Sequence, residues 1–417
     1  MNAATAIATS PIETDATPSL IAGLSGVPTS FKAVALACLN VRGGRLVMTL
    51  PDGRTLLFGS VGGTRVHMRL VNFGFAKRVL ASGDIGFAES YMAKEWETPD
   101  LPGLLTFLAD NAERIIRIFQ GNPLYRLAHW MRHMGNANTK QGSKRNILAH
   151  YDLGNDFYRA WLDPSMTYSS ARWDTIGADA PLKDAQAAKY RALARHLDLK
   201  PGETVLEIGC GWGGFAEVAA KEFGAKVTGL TISNAQLAFA QERIAAQGLN
   251  DKVELRLQDY RDVVGDYDKV ASIEMFEAVG EQYWGTYFQK VRDVLRPGGR
   301  AALQVITIQD DLFETYRQRA DFIQRYVFPG GMLASVGRLK EEVAKAGLGW
   351  AAMDRFGPSY ARTLNEWSHT FLSRWEDVKT LGFDERFKQL WNFYLGYCEA
   401  GFRTGRTDVI QLALTRP

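Results

Sequence analysis

The sequence predicts an α/β protein: a doubly wound sheet with a helical insertion, preceded by a small α+β domain. Three observations predict it. Helix-like and strand-like segments alternate from about residue 183 onward, the rhythm of strands joined by right-handed crossovers. One strand-to-helix turn, Val205-Leu-Glu-Ile-Gly-Cys-Gly-Trp-Gly-Gly-Phe215, is dense in glycine. Upstream, alternating apolar residues flank Pro51-Asp-Gly53, a hairpin signal.

A chain of 417 residues suggests two domains, or one with a large attachment. Its 46% hydrophobic and 23% charged residues are ordinary for a globular protein. A net charge of +3 gives no argument for nucleic acid. The three cysteines (Cys38, Cys210, Cys398) have neither disulfide nor zinc spacing, so a reducing compartment, the cytoplasm, and no metal are expected. Residues 1–27 lack the basic and apolar regions of a secretory signal and are expected to form a disordered tail. No run of about 18 uncharged apolar residues occurs, so any meeting with a membrane is expected at its surface.

Residues 28–135 are the expected α+β domain. Alternation runs from about 36 to 70, with strands at 44–50, 55–58 and 66–70. Helical spacing follows at about 72–81 and 101–134. Arg114, Arg117, Arg126, Arg132, Lys140, Lys144 and Arg145 lie among Ile115, Ile116, Phe119, Leu124, Tyr125 and Trp130. A basic face with aromatics suits an anionic bilayer surface. The alternative is a solvated helix face followed by a linker, and polar residues 135–143 are that linker.

Residues 136–417 are the expected second domain. Helix 185–197 leads into strand 204–208, helix 215–223, strand 226–230, helix 234–247 and strand 253–257. Strand 268–273, helix 284–294, the turn Arg296-Pro-Gly-Gly299 and strand 300–306 continue it. The helical, aromatic stretch 310–345 breaks this rhythm and reads as an inserted lid. The last ~60 residues are crowded with aromatics that read mostly as core.

A glycine-rich βα turn by itself could serve NAD, FAD or S-adenosylmethionine. Three details favour the last. Glu207 precedes Gly209, Gly211 and Gly213, whereas a dinucleotide site expects Gly-x-Gly-x-x-Gly and a pyrophosphate on the helix N-terminus. A carboxylate suits a ligand carrying an ammonium and a sulfonium. After the second strand, Thr231, Ser233 and Gln236 can bond ribose hydroxyls or nearby backbone. After the third, Asp259 can accept from an adenine amino group. Ser233 and Asp262 taken singly read better as caps, but the ordered set falls at successive strand ends, where open α/β sheets bind ligands.

These residues, with others, resemble the cyclopropane fatty acid synthases and mycolic acid methyltransferases. The resemblance is carried by His150-Tyr-Asp-Leu-Gly-Asn-Asp-Phe-Tyr158, Leu162-Asp-Pro-Ser-Met-Thr-Tyr-Ser-Ser170 with Trp173, the 205–215 turn and Gly229-Leu-Thr-Ile-Ser-Asn-Ala-Gln236. Met275-Phe-Glu-Ala-Val-Gly280, Tyr326-Val-Phe-Pro-Gly-Gly331, Phe356-Gly-Pro-Ser-Tyr360 and Tyr397-Cys-Glu-Ala-Gly-Phe-Arg403 extend it over roughly residues 40–410. It implies a class I methyltransferase fold with a helical lid. It also implies one-carbon transfer from S-adenosylmethionine to the double bond of an unsaturated phospholipid acyl chain, by an enzyme peripheral to the inner face of the membrane. Tyr168 and Ser169 would contact the methionine end of the cofactor, and Gly209, Gly211 and Trp212 would line it. Thr231 and Gln236 would hold the ribose, and Ile273 would flank the adenosine. Some of Phe322, Tyr326, Phe328 and Trp391 would line an apolar slot for the acyl chain. His150 reads as a structural histidine more than as a base. A homo-oligomer and a partner redox enzyme stay open.

Family members that close a ring use a bound bicarbonate, held by a Cys, a Glu, a His, a backbone group at an Ile and a Tyr. Here Glu277 and Tyr360 match, Ser170 stands at the Cys position, and Ile306 is expected at the His position. Either the bicarbonate is held by fewer groups and cyclopropanation survives, or a carboxylate such as Glu277 or Glu274 takes the proton. The second, which gives a methyl-branched or methylene product, is favoured over a plain cyclopropane. The catalytic set is then Glu277, Tyr360 and Ser170. Rival readings are a true cyclopropane synthase, a methyltransferase for another hydrophobic small molecule, and a non-catalytic lipid-binding relative.

Overall fold

The computed structural model describes residues 13–115 and 153–417, in two units. The first holds the described residues up to 115 together with 385–400; the second holds 153–384 and 401–417.

The first unit is built on a five-stranded sheet in the order β1-β3-β2-β4-β5. Its strands are β1 (Glu13–Asp15), β2 (Gly44–Thr49), β3 (Thr55–Gly59), β4 (Thr64–Leu70) and β5 (Trp96–Glu97). The expected hairpin is β2–β3, antiparallel with Thr49 opposite Thr55. Its turn holds Gly53 at φ 88°, a conformation that a Cβ disfavours. Along β4 the alternation is clean: Val66, Met68 and Leu70 point inward while Arg65, His67 and Arg69 are exposed.

Two expectations are corrected here. Residues 13–23, expected as tail, form β1, paired parallel to β3, and the helix Pro18–Gly23, capped by Thr17. Residues 36–38, expected to alternate, close the helix Thr29–Cys38. Phe31, Val34, Ala35 and Cys38 recur there at helical spacing and are buried. The helix expected from 72 runs as Gly74–Met92, broken at Gly83. Leu101–Asp110 follows, capped by Asp100. Residues 385–400 join this unit: Phe393 packs against Phe87 and Tyr91, and Asn392 donates to the Tyr91 hydroxyl. The basic stretch beyond Ile115, the 135–143 linker and His150 lie outside the described residues.

In the second unit the strands are β6 (Thr204–Ile208), β7 (Lys226–Thr231), β8 (Val253–Leu257), β9 (Tyr267–Ile273), β10 (Leu295–Ile308), β11 (Ala334–Ser335), β12 (Gly349–Arg355) and β13 (Thr407–Thr415). They form one sheet in the order β12-β13-β10-β9-β6-β7-β8, with β11 beside β10. From β10 to β8 the main-path neighbours are parallel; β13 runs antiparallel between β10 and β12. Strand order reverses at β6, so the loops after β6 and β9 open a crevice at the carboxyl edge. Helices cover both faces. Val291, Leu339 and Val343 share one core with Leu206 and Leu303, while Leu193, Phe215 and Ile244 share the other with Val205 and Val227.

The expected lid is shorter than 310–345. Helices Asp310–Tyr316 and Phe322–Tyr326 interrupt the βα rhythm. The helix Val336–Lys345 instead buries Val336, Leu339 and Val343 in the sheet core, so it covers the sheet. Among the described residues no helix is long and apolar enough to cross a membrane.

Candidate active site

The strand ends bring the glycine-rich turn to a cavity. Its walls include Glu207 within β6 with Gly209, Gly211 and Trp212 after it, and Thr231 at the end of β7 with Ser233 and Gln236 after it. Asp259 and Arg261 after β8, Ile273 and Glu274 at the end of β9, and Tyr168 and Ser169 complete it. All ten expected cofactor-binding residues therefore line one cavity. Gly209, Gly211 and Gly213 have φ of 82°, 52° and 80°. A Cβ on Gly209 would sit 2.8 Å from Met275 Cγ, while one on Gly211 would enter open space. The turn is thus a cradle with bare backbone facing a void.

Glu207 supplies the electrostatic half of the fit. It is buried, and its Oε2 has no hydrogen-bond partner. Burial pushes its carboxyl well above the usual range. A cationic ligand relieves that cost, and S-adenosylmethionine is one. When bound there it supplies an electrophilic methyl group. Thr231 Oγ1 donates to Gln236 Oε1 at 2.9 Å, fixing both at the wall. Ser233 caps the helix Asn234–Ala246, as a bland reading of that residue expects. Asp259 holds Arg261 and caps a short 3-10 turn. The Trp212 ring nitrogen donates to Asn155 Oδ1, and Tyr168 packs between Tyr158, Trp161 and Trp367.

Beside this cavity is a buried polar cluster. Glu274 Oε1 accepts from the Ser170 backbone N–H at 2.9 Å and from Gln304 Nε2 at 2.7 Å. Its Oε2 accepts from the Tyr360 hydroxyl at 2.6 Å. Burial holds the Glu274 carboxyl above its usual value, and Lys189, then Tyr360, Ser170 and Gln304, offset only part of that rise. Glu277 Oε1 accepts from the Ile306 backbone N–H at 2.5 Å, while its Oε2 is buried without a partner. Burial, and then the charge of Glu274, push the Glu277 carboxyl up to about 8. The pair shares one environment but differs in donors, and the three donors on Glu274 favour its ionised form over that of Glu277.

Of the expected catalytic residues, Tyr360 meets Glu274, and Ser170 meets Glu274 through its backbone while its hydroxyl turns to Ala171 O. Glu277 stands next to Ile306. One expectation changes: the side chain that enters the cluster from β10 is Gln304, and Ile306 offers its backbone N–H. Residues 304 and 306 share a strand face, so spacing could not separate them.

Sequence reasoning missed Lys189, Gln304 and Gln411. Lys189 is fully buried in the helix Leu182–His196, and its ammonium donates to Ser169 Oγ. Burial lowers it to about 7, against the pull of Glu274. A signal existed: Gln186 and Lys189 interrupt the apolar stripe Ala185, Ala188, Ala192, Leu193. Gln411 Nε2 donates to Gln304 Oε1 at 2.9 Å, and its Oε1 accepts from Arg172 at 2.9 Å. These bonds orient the Gln304 amide so that its N–H faces Glu274.

The fold and site have known counterparts. A model of the mycolic acid cyclopropane synthetase family matches residues 138–412. The tuberculostearic acid methyltransferase UfaA1 of Mycobacterium tuberculosis is 39% identical over 82% of this chain and 81% of its own. The cyclopropane-fatty-acyl-phospholipid synthase of Escherichia coli is 36% identical over 85% of this chain and 89% of its own. Among solved structures, the mycolic acid cyclopropane synthase CmaA1 with SAH and CTAB has a TM-score of 0.61 and 30% identity, covering 65% of this chain and 98% of that one. Cavity, cradle and a buried acid with one unsatisfied oxygen fit the cofactor that these relatives use. The chain belongs to the mycolic acid cyclopropane synthetase family and is an S-adenosylmethionine-dependent enzyme, one of a family that methylates or cyclopropanates lipid acyl chains.

Proposed function

We propose that this enzyme transfers a methyl group to the double bond of an unsaturated acyl chain in a membrane phospholipid, and that its product is methyl-branched or methylene-bearing rather than a plain cyclopropane. One observation carries this reading: a protein carboxylate, Glu274, lies at the cavity wall among Ser170, Gln304 and Tyr360. A carboxylate can accept a proton from the chain after methyl addition. Gln304 cannot, because an amide nitrogen is not a base at neutral pH. The similarity to a tuberculostearic acid methyltransferase supports methylation, and the similarity to a phospholipid synthase supports the substrate class. The basic, aromatic sequence around residues 114–145 supports work at a membrane surface, with the catalytic unit in the cytoplasm. Cyclopropanation is the second reading, favoured by that same synthase.

The test is mass analysis of fatty acids after incubation with mono-unsaturated phospholipid vesicles and methyl-deuterated S-adenosylmethionine. An olefinic product supports the proposal, carrying three deuteriums if it is methyl-branched and two if it is a methylene. A saturated ring carrying two overturns the product assignment and leaves the substrate assignment standing.

A further inference from the structure

We propose that Glu274 is a resident general base, built into the chain where an exchangeable anion would otherwise serve, so that turnover needs no bicarbonate. This rests on the alkene substrate proposed above.

Four observations carry it. First, Glu274 is a wall residue of the cofactor cavity, and Glu277 is not. Second, each of the three described partners of the Glu274 carboxylate donates to it. The Ser170 backbone N–H can only donate. The Gln304 amide is held as a donor, because its oxygen accepts from Gln411, whose own oxygen accepts from Arg172. Such a pocket selects the anionic carboxylate. A carboxylate offers about four lone-pair positions, so one remains for an incoming proton.

Third, Glu274 sits at φ 48°, left-handed backbone that a residue with a Cβ rarely adopts. Strain of this kind persists where a particular side chain is needed at a particular point. Fourth, the buried Lys189, when protonated, favours an ionised Glu274.

The step balances without a redox partner. After methyl addition to one alkene carbon, its neighbour is cationic. Glu274 takes a proton from the next carbon along the chain. That C–H bonding pair becomes the new carbon–carbon π bond, and the proton leaves through the carboxylate to solvent. The positive charge that entered with the sulfonium departs as this proton.

Glu274→Gly is the variant of choice, because glycine relaxes at φ 48° and the fold is retained. Turnover of the wild-type protein is expected to be the same in carbon-dioxide-free buffer and with bicarbonate added. Glu274→Gly should lose about 10²-fold or more in turnover while still binding S-adenosylhomocysteine. Formate should bind Glu274→Gly but not wild type in calorimetry, and should restore part of the rate. Glu274→Gln, which keeps the bulk but not the base, should be as slow and should not respond to formate. A wild-type rate that collapses without bicarbonate overturns the proposal. So does a Glu274→Gln variant with wild-type turnover, or formate that neither binds nor rescues Glu274→Gly. If wild type methylates no vesicle lipid, the substrate reading fails instead, and formate binding still reports on the anion site by itself.

Discussion

The Tyr360 hydroxyl donates to Glu274 Oε2 at 2.6 Å, across 86 residues of sequence. This bond lowers the Glu274 carboxyl against the raising effect of burial. Tyr360→Phe removes it. The carboxyl then rises, and a base that must be ionised is available only at higher pH. The acid limb of the turnover–pH profile should move upward, with a loss of roughly tenfold at neutral pH that shrinks as pH rises. An unmoved profile would disconnect Tyr360 from the base.

Glu277 offers a separate test through stability. Its folded carboxyl is raised to about 8 from 4.5. Between those values the unfolded chain has released the proton and the folded chain still holds it. Stability from this group is therefore full below about 4.5 and declines as pH rises toward 8, on the order of 1.4 kcal/mol per pH unit within the window. Glu277→Gln cannot ionise, so its denaturation midpoint should fall less than wild type between pH 5.5 and 7.5. Parallel curves would show that Glu277 is ionised in the folded state.

Glu207 links cofactor binding to protons. Its buried carboxyl is raised well above 4.5, and a bound cation favours the ionised form. S-adenosylmethionine binding should therefore release a proton and tighten as pH rises. Calorimetry in two buffers of different ionisation enthalpy measures this release directly. In Glu207→Gln the release should vanish and affinity should drop roughly tenfold, as expected for loss of one charge-assisted contact.

Gln411 is fully buried between Arg172, the Lys189 carbonyl and Gln304. Gln411→Leu leaves each of them without this partner, which should cost about 1–3 kcal/mol of stability. It also frees the Gln304 amide to turn its oxygen toward Glu274. Turnover should fall while S-adenosylhomocysteine affinity holds, because Gln411 is not a wall residue of the cofactor cavity. Equal losses in both would point to general disorder of the sheet around β13.

The cofactor half of the site was legible in the chain itself. Glu207, Gly209, Gly211, Thr231, Gln236 and Asp259 lie at or just beyond the ends of successive strands, and a parallel sheet must bring successive strand ends together. The acid–amide cluster was only half legible. Glu274 and Glu277 lie close in sequence, but nothing local distinguishes the wall residue from its neighbour. Period-two patterning put Gln304 and Ile306 on one face without saying which would offer a side chain and which its backbone.

By itself, then, the sequence determined the αβ alternation, the glycine cradle and the family, because turn chemistry and side-chain periodicity are local properties of the chain. Tertiary structure decided the rest. It set Tyr360 and Gln304 on Glu274, Gln411 on Gln304, and residues 385–400 in the first unit. Each of those depends on strand register or helix docking between segments far apart in sequence. Such choices are made by burial and by the need to pair buried polar groups, and a linear pattern does not encode them one by one.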